Sequence, residues 1–179
     1  MEKKIKCNVI VCGPAIGKTY LAEHDKRFID LDDMKATYKY GLSNTSCENK
    51  EKGKLNRGKV VNNDSTEYAI KILEEEIKKG NIVLISNGSK KLLKYITENG
   101  IDYCLVYANI KDKEKYIKRM RQRGNNDIFI EKMTEEKAWK DFYEQNRNDI
   151  RPKYKIELES GQYLSDITKF IDTGIGKEK

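Results

Sequence analysis

Apolar residues along this chain fall into a few short runs. Residues 82–85 form a continuous apolar run, which is typical of a strand buried on both faces of a parallel sheet. Residues 9–11 and 103–107 have the same character, while residues 27–33 alternate apolar and acidic side chains. With an edge strand at residues 155–158, these runs predict a sheet.

Between the strands, apolar residues recur every three to four positions, the period of a helix with one buried face. The helices predicted in this way cover residues 20–23, 65–79, 90–99, 111–123, 131–146 and 164–171. Thr134 is a candidate cap or kink within the fifth of them. Because strands and helices alternate, the pattern predicts an α/β fold with a parallel sheet and right-handed crossovers.

Length and the absence of linkers indicate one domain spanning residues 1–179. Residues 41–63 are polar, and a long polar connection inside a compact domain is typical of a functional flap or a mobile loop. If this segment is an acceptor-binding flap, its anion ligands would be Lys35, Lys39 and Arg57.

Composition and charge favour anionic binding partners and argue against a histidine metal site and a membrane span. The formal net charge is +7, and such a basic field attracts nucleic acids, nucleotides and phosphorylated small molecules alike. The single histidine, His24, makes a His-based metal site implausible. No apolar run approaches the roughly 18 residues of a membrane span, and the four cysteines contain no C-x-x-C pair, so we expect a reduced, cytoplasmic protein without a membrane partner.

The first candidate functional segment follows the strand at residues 9–11. A Gly/Pro turn there leads into Gly17, Lys18 and Thr19, and then into a helix. A loop of this kind surrounds a phosphate with backbone N–H groups, the lysine reaches the β- and γ-phosphates, and the threonine hydroxyl helps to hold Mg²⁺. The usual pattern G-x-x-x-x-G-K-[ST] would require glycine at Cys12, and Gly13 instead supplies a version one residue shorter.

Carboxylates follow at the end of the next strand. Asp30 and Asp32 point in the same direction along a strand, and their position behind the loop suits binding of Mg²⁺ or contact with an acceptor. The alternative is a solvated strand end with a helix cap. Residues 86–89 would lie beside the loop if the preceding strand is central, but they contain no aspartate for the metal.

Arginines mark a third candidate segment. Arg119 and Arg123 are four residues apart, so on a helix they would project from one face toward a transferred phosphoryl group. The helix should break at residues 124–126, where Asn126 or Asp127 can start another helix, and residues 119–130 would then form a short lid. The alternative is a solvated basic helix face. Residues 109–112 look like a guanine-recognition motif, but their order is wrong for N-K-x-D.

Taken together, the loop at residues 13–22, the acidic residues 30–32 and the segments 114–117 and 121–130 resemble nucleoside-monophosphate-kinase-like P-loop proteins, in particular small P-loop kinases of phages and bacteria. This resemblance implies a three-layer P-loop NTPase fold with a five-stranded parallel sheet, ATP·Mg²⁺ on the loop and a phosphorylated, nucleotide-like acceptor opposite.

The resemblance also implies roles for individual residues. Lys18 would contact the β- and γ-phosphates, Thr19 the Mg²⁺, and Arg119 and Arg123 the transferred group. Independently of the resemblance, the lack of an aspartate in residues 86–89 passes the metal role to Asp30 and Asp32, and Asp32 is the catalytic candidate if the acceptor is a hydroxyl. The nucleotide-binding residues would be Gly13, Pro14, Ala15, Ile16, Gly17, Lys18, Thr19 and Tyr20.

Two other functions remain open on the sequence. In a kinase of a hydroxyl acceptor, such as a nucleoside, a metabolite or a polynucleotide 5′ end, Asp32 would accept the hydroxyl proton. In an ATP-binding nucleic-acid-associated module, which is less favoured, the basic surface would hold the polynucleotide.

Overall fold

A computed structural model describes residues 4–31 and 65–173 of the chain. The predictions made for Asp32, for residues 41–63 and for the three basic residues assigned to the flap therefore lie outside the described residues. The predictions for the loop, for Asp30 and for both arginines lie inside them.

The predicted parallel sheet is confirmed. Its strands lie in the order β3-β4-β2-β5-β6, and every neighbouring pair is parallel. A second, two-stranded parallel sheet joins β1 to β7 and was not predicted. The strands are β1 (Ile5–Lys6), β2 (Val9–Cys12), β3 (Phe28–Asp30), β4 (Ile82–Ser86), β5 (Cys104–Tyr107), β6 (Tyr154–Glu157) and β7 (Ile171–Asp172).

Helices connect these strands, most of them at the positions that the periodicity predicts. They are α1 (Lys18–His24), α2 (Ser65–Lys78), α3 (Lys90–Glu98), α4 (Lys113–Gln122), α5 (Asp127–Thr134) and α6 (Glu136–Asn148), with 3-10 helices at Ile110–Asp112 and Leu164–Phe170. Within the described ranges, no helix combines the length and apolar character needed to cross a bilayer.

Both faces of the five-stranded sheet are buried, as continuous apolar strands require. Alternate residues of β2 point to opposite faces: Ile10 belongs to a cluster with α1 and the C-terminal 3-10 helix, and Val11 to a cluster with α2 and α3. The sheet therefore holds the ends of its strands rigidly, and the loops at those ends are where a site can be built.

Two helix predictions were wrong in detail. The helix predicted over residues 131–146 is two helices, because Glu135 has an extended backbone and its carboxylate accepts hydrogen bonds from the first N–H groups of α6. The Thr134 hydroxyl, which donates to the carbonyl of Ile130 at 2.7 Å, lies at this break. The closing helix is a 3-10 helix that ends where β7 pairs with β1.

Candidate functional site

The loop of residues 13–17 lies at the centre of one sheet edge. It follows β2, which has β4 on one side and β5 on the other. The chain visits β3 and β4 on one side of β2 before it crosses to β5 and β6, so β2 marks the point where the strand order reverses. In open parallel sheets, the crevice beyond the carboxyl ends of the strands at this point is where ligands bind.

The backbone of the loop is held in left-handed conformations. Gly17 has a φ of 101° and Ala15 a φ of 56°. Gly13 is overlaid by Phe142 of α6, because a Cβ added at Gly13 would lie 3.1 Å from the ring. Cys12, which stands where the usual pattern has its first glycine, is a buried residue of β2 paired with both neighbouring strands.

The predicted loop residues differ in what they present to a ligand. The Ile16 side chain is buried in the core, so its contribution would come from the backbone, and its carbonyl accepts a hydrogen bond from the amide of Leu164 at 2.9 Å. Tyr20 is 58% exposed and stacks on the ring of His24. Pro14 is half-buried and lines an apolar recess together with Gly13 and other residues.

Lys18 is the first residue of α1 and lies against the loop that precedes it. Its side chain is buried, with 8% of the residue exposed, and its ammonium group donates to the carbonyl of Gly13 at 3.3 Å. Burying an ammonium group costs free energy unless a negative charge lies near it. The position of Lys18 therefore suits a loop that binds an anion.

Thr19 and Asp30 are brought together by the fold. The Thr19 hydroxyl donates to Asp30 Oδ2 at 2.8 Å, across the eleven positions that separate the residues. A hydroxyl and a carboxylate are hard oxygen ligands of the kind that Mg²⁺ takes, and Mg²⁺ usually completes its shell with waters and substrate phosphates. Within residues 4–31 and 65–173, no group of three His, Cys, Asp or Glu side chains could hold a metal by themselves.

Asn87 lies directly beside the loop, as the sequence predicted for the end of β4. Its backbone amide donates to the carbonyl of Cys12 at 3.1 Å. Its side-chain amide donates to Asn146 Oδ1 at 3.3 Å, and the amide of Asn146 in turn donates to the carbonyl of Phe142. Sequence reasoning missed Asn146, because nothing in the pattern of α6 distinguishes this buried asparagine from the polar residues around it.

Arg119 and Arg123 occupy different environments. Arg119 is buried, and its Nη2 donates to the carbonyls of Gly161 and Gln162 at 2.9 and 3.3 Å. Its guanidinium carbon lies 3.7 Å from the ring centroid of Tyr163. Arg123 is exposed and follows the last residue of α4. The helix break predicted after it is confirmed, with Asn126 capping α5.

Sequence reasoning also missed the segment that follows β6. The ring of Tyr163 lies against Gly17, since a Cβ added there would be 3.5 Å from Tyr163 Cδ1. This segment therefore forms a wall beside the loop and carries the carbonyls that Arg119 contacts. Its residues are far from the loop in sequence and show no motif, so no local signal pointed to them.

No model of a protein family matches the chain, and no curated protein matches it.

Proposed function

We propose that this protein is an ATP- and Mg²⁺-dependent phosphotransferase whose acceptor is a small phosphorylated molecule of the nucleoside monophosphate type. The observation that carries the proposal is the position of Gly17, Lys18 and Thr19 between the central strand β2 and α1, with the Thr19 hydroxyl on the carboxylate of Asp30. The parallel strand order and the burial of both sheet faces support a three-layer P-loop NTPase fold.

Phosphoryl transfer depends on positioning and on neutralising charge rather than on covalent chemistry. Lys18 would bind the β- and γ-phosphates, and the backbone N–H groups of residues 13–17 would surround them. Thr19 and Asp30, with Asp32 from the sequence, would hold Mg²⁺, which neutralises phosphate charge when bound. Arg123, exposed beyond α4, is the freer of the two arginines to approach the transferred group.

A phosphorylated acceptor is the simplest partner for this set of residues. A phosphate oxygen is already anionic, so transfer to it needs no general base. This agrees with the position of His24, which is exposed, stacked on Tyr20 and bonded through Nδ1 to the carbonyl of that residue. The net charge of +7 favours anionic partners in general.

The test is transfer of label from γ-labelled ATP to a panel of nucleoside monophosphates, nucleosides and 5′-hydroxyl oligonucleotides. Lys18→Ala should lower transfer by about a hundredfold or more, as expected for loss of a charge that stabilises the transition state. Lys94→Ala is the matched control, because the Lys94 side chain is 72% exposed on α3 and pairs only with Glu98 among the described ion pairs.

The panel also separates the acceptor classes. Label on a monophosphate, with a mild effect of Asp32→Asn once Mg²⁺ is saturating, supports the proposal, because the variant then lacks only a metal ligand and not a base. Label on a hydroxyl, with a loss of orders of magnitude in Asp32→Asn, would favour the hydroxyl kinase. ATP binding without transfer to any acceptor would refute a phosphotransferase.

A further inference from the structure

Asp112 is a buried carboxylate that joins two segments far apart in sequence. It ends the 3-10 helix before α4, and its side chain is 3% exposed. Its Oδ1 accepts a hydrogen bond from the Ser160 hydroxyl at 2.6 Å, and its Oδ2 accepts one from the amide of Gly161 at the same distance. The Lys115 ammonium lies 3.0 Å from Oδ1 and also donates to Ser160.

The segment held by Asp112 leads directly to the phosphate loop. Beyond Gly161, the ring of Tyr163 lies against Gly17. The next residue, Leu164, donates its amide hydrogen to the carbonyl of Ile16 at 2.9 Å. Thus two contacts to the loop follow within three residues of the amide that Asp112 binds.

Arg119 lies about two turns further along α4 and contacts the same segment. Its guanidinium donates to two carbonyls of the segment and stacks on the Tyr163 ring. Residues 160–163 are therefore held by two charged side chains. The Asp112 carboxylate binds their N–H and O–H donors, and the Arg119 guanidinium binds their carbonyls. Together these contacts restrain both the position and the orientation of Tyr163.

Burying a carboxylate costs free energy unless donors replace its water, and apolar packing would stabilise the fold at least as well. Here burial acts to raise the pKa of Asp112, but the hydrogen bonds from Ser160 and Gly161 and the Lys115 ammonium together hold that pKa below its usual range. A charged anchor with directional bonds fixes the geometry of a segment more strictly than apolar contacts do.

We infer that Asp112 is a positioning residue for phosphate binding, which acts through residues 160–164 to hold Ile16 and Gly17 of the loop in place. This inference rests on the proposed function, since it needs phosphates to bind at the loop. The described contacts of the Asp112 carboxylate are with Lys115, Ser160 and Gly161 rather than with the loop, so its effect is on affinity and on local order.

Titration calorimetry with MgADP and with inorganic pyrophosphate tests the inference at a temperature well below unfolding. In Asp112→Asn, one oxygen becomes an amide that cannot accept, so the affinity for both ligands should fall about tenfold. Hydrogen exchange at the amide of Leu164 should become faster in the same variant. In the transfer assay, KM for ATP should rise more than kcat falls.

Asp149→Asn is the matched control, because Asp149 accepts three hydrogen bonds, all from Arg151, and so resembles Asp112 as an anchor without leading to the loop. It should keep both affinities and the exchange rate of Leu164. Wild-type affinity in Asp112→Asn, or an equal loss in Asp149→Asn, would overturn the inference alone. Failure of the wild-type protein to bind either ligand would refute the proposed function first.

Discussion

Replacing Gly17 with alanine should destabilise the protein by about 2 kcal/mol through backbone strain. The φ of Gly17 is 101°, well beyond the left-handed region that L-residues tolerate best. Space is not the obstacle, because the added Cβ would meet its nearest neighbour, Tyr163 Cδ1, at 3.5 Å, an ordinary contact. The variant therefore isolates the conformational cost at the centre of the candidate site.

The magnitude follows from two opposing effects. Strain at this φ costs roughly 2–3 kcal/mol, and the smaller entropy of the unfolded alanine chain offsets about 0.7 kcal/mol of it. Gly100→Ala provides the comparison, because Gly100 has a φ of 63° and nothing within 4 Å of an added Cβ. That substitution should cost only about 1 kcal/mol, since its φ is close to the left-handed optimum.

Urea unfolding measures both variants, with the fluorescence of Trp139 as the signal. This is the only tryptophan of the chain and is 6% exposed, so unfolding transfers it from the interior to water. A loss of about 2 kcal/mol corresponds to a fall in Tm of roughly 4–8 °C. If Gly17→Ala unfolds within about 0.5 kcal/mol of the wild type, the loop does not require its left-handed residue and the reasoning is refuted.

Two other substitutions test the site and the core. Thr19→Val removes the hydroxyl that contacts Asp30, so it should cost at most about 1 kcal/mol in urea unfolding but raise the Mg²⁺ concentration needed for half-maximal transfer. Thr97→Val, which removes a helical hydroxyl whose described hydrogen bonds go to the backbone carbonyls of Leu93 and Lys94, should leave that Mg²⁺ dependence unchanged. Burial, with a smaller effect of Asp149, raises the pKa of Tyr103 to about 12, and its hydroxyl has no hydrogen-bond partner in the described part of the chain. The pKa of Tyr103 is therefore higher in the folded state than the value of about 10 in the unfolded chain. The contribution of the neutral Tyr103 to the free energy of unfolding is complete below pH 10 and is lost as pH rises toward 12. Tyr103→Phe should reduce the loss of stability between pH 10 and 12 and leave stability at pH 7 unchanged or higher. A pH profile of unfolding identical to that of the wild type would contradict this prediction.

Elements built from local signals were predicted well. The apolar run of β4 predicted a strand buried on both faces, and Asn126 capped the helix that was expected after the break at Gly124. The break at Glu135 was harder, because Glu is an ordinary helix residue and only its extended backbone makes it a cap. The strand β7 was missed because two residues carry too little pattern to predict.

The sequence predicted those contacts around the loop that follow from neighbouring parallel strands ending at the same edge of the sheet. Asn87 lies beside Cys12 because carboxyl ends of neighbouring parallel strands meet at one edge. Arg119 was expected to project beside Arg123, yet the structure buries it against Gly161 and Tyr163. Those partners are about forty positions away, and no periodicity links them to α4.

The sequence by itself determined the strands of the five-stranded sheet, most of the helices, and a loop whose residue order suits a phosphate. These features depend on neighbours within a few positions, since hydrophobic period, turn residues and caps act locally. Only the tertiary structure decided that β2 is the central strand, that Thr19 meets Asp30, and that Asp112 and Arg119 hold a distant segment against Gly17. Such contacts join positions that packing of the whole chain brings together, so no local pattern encodes them.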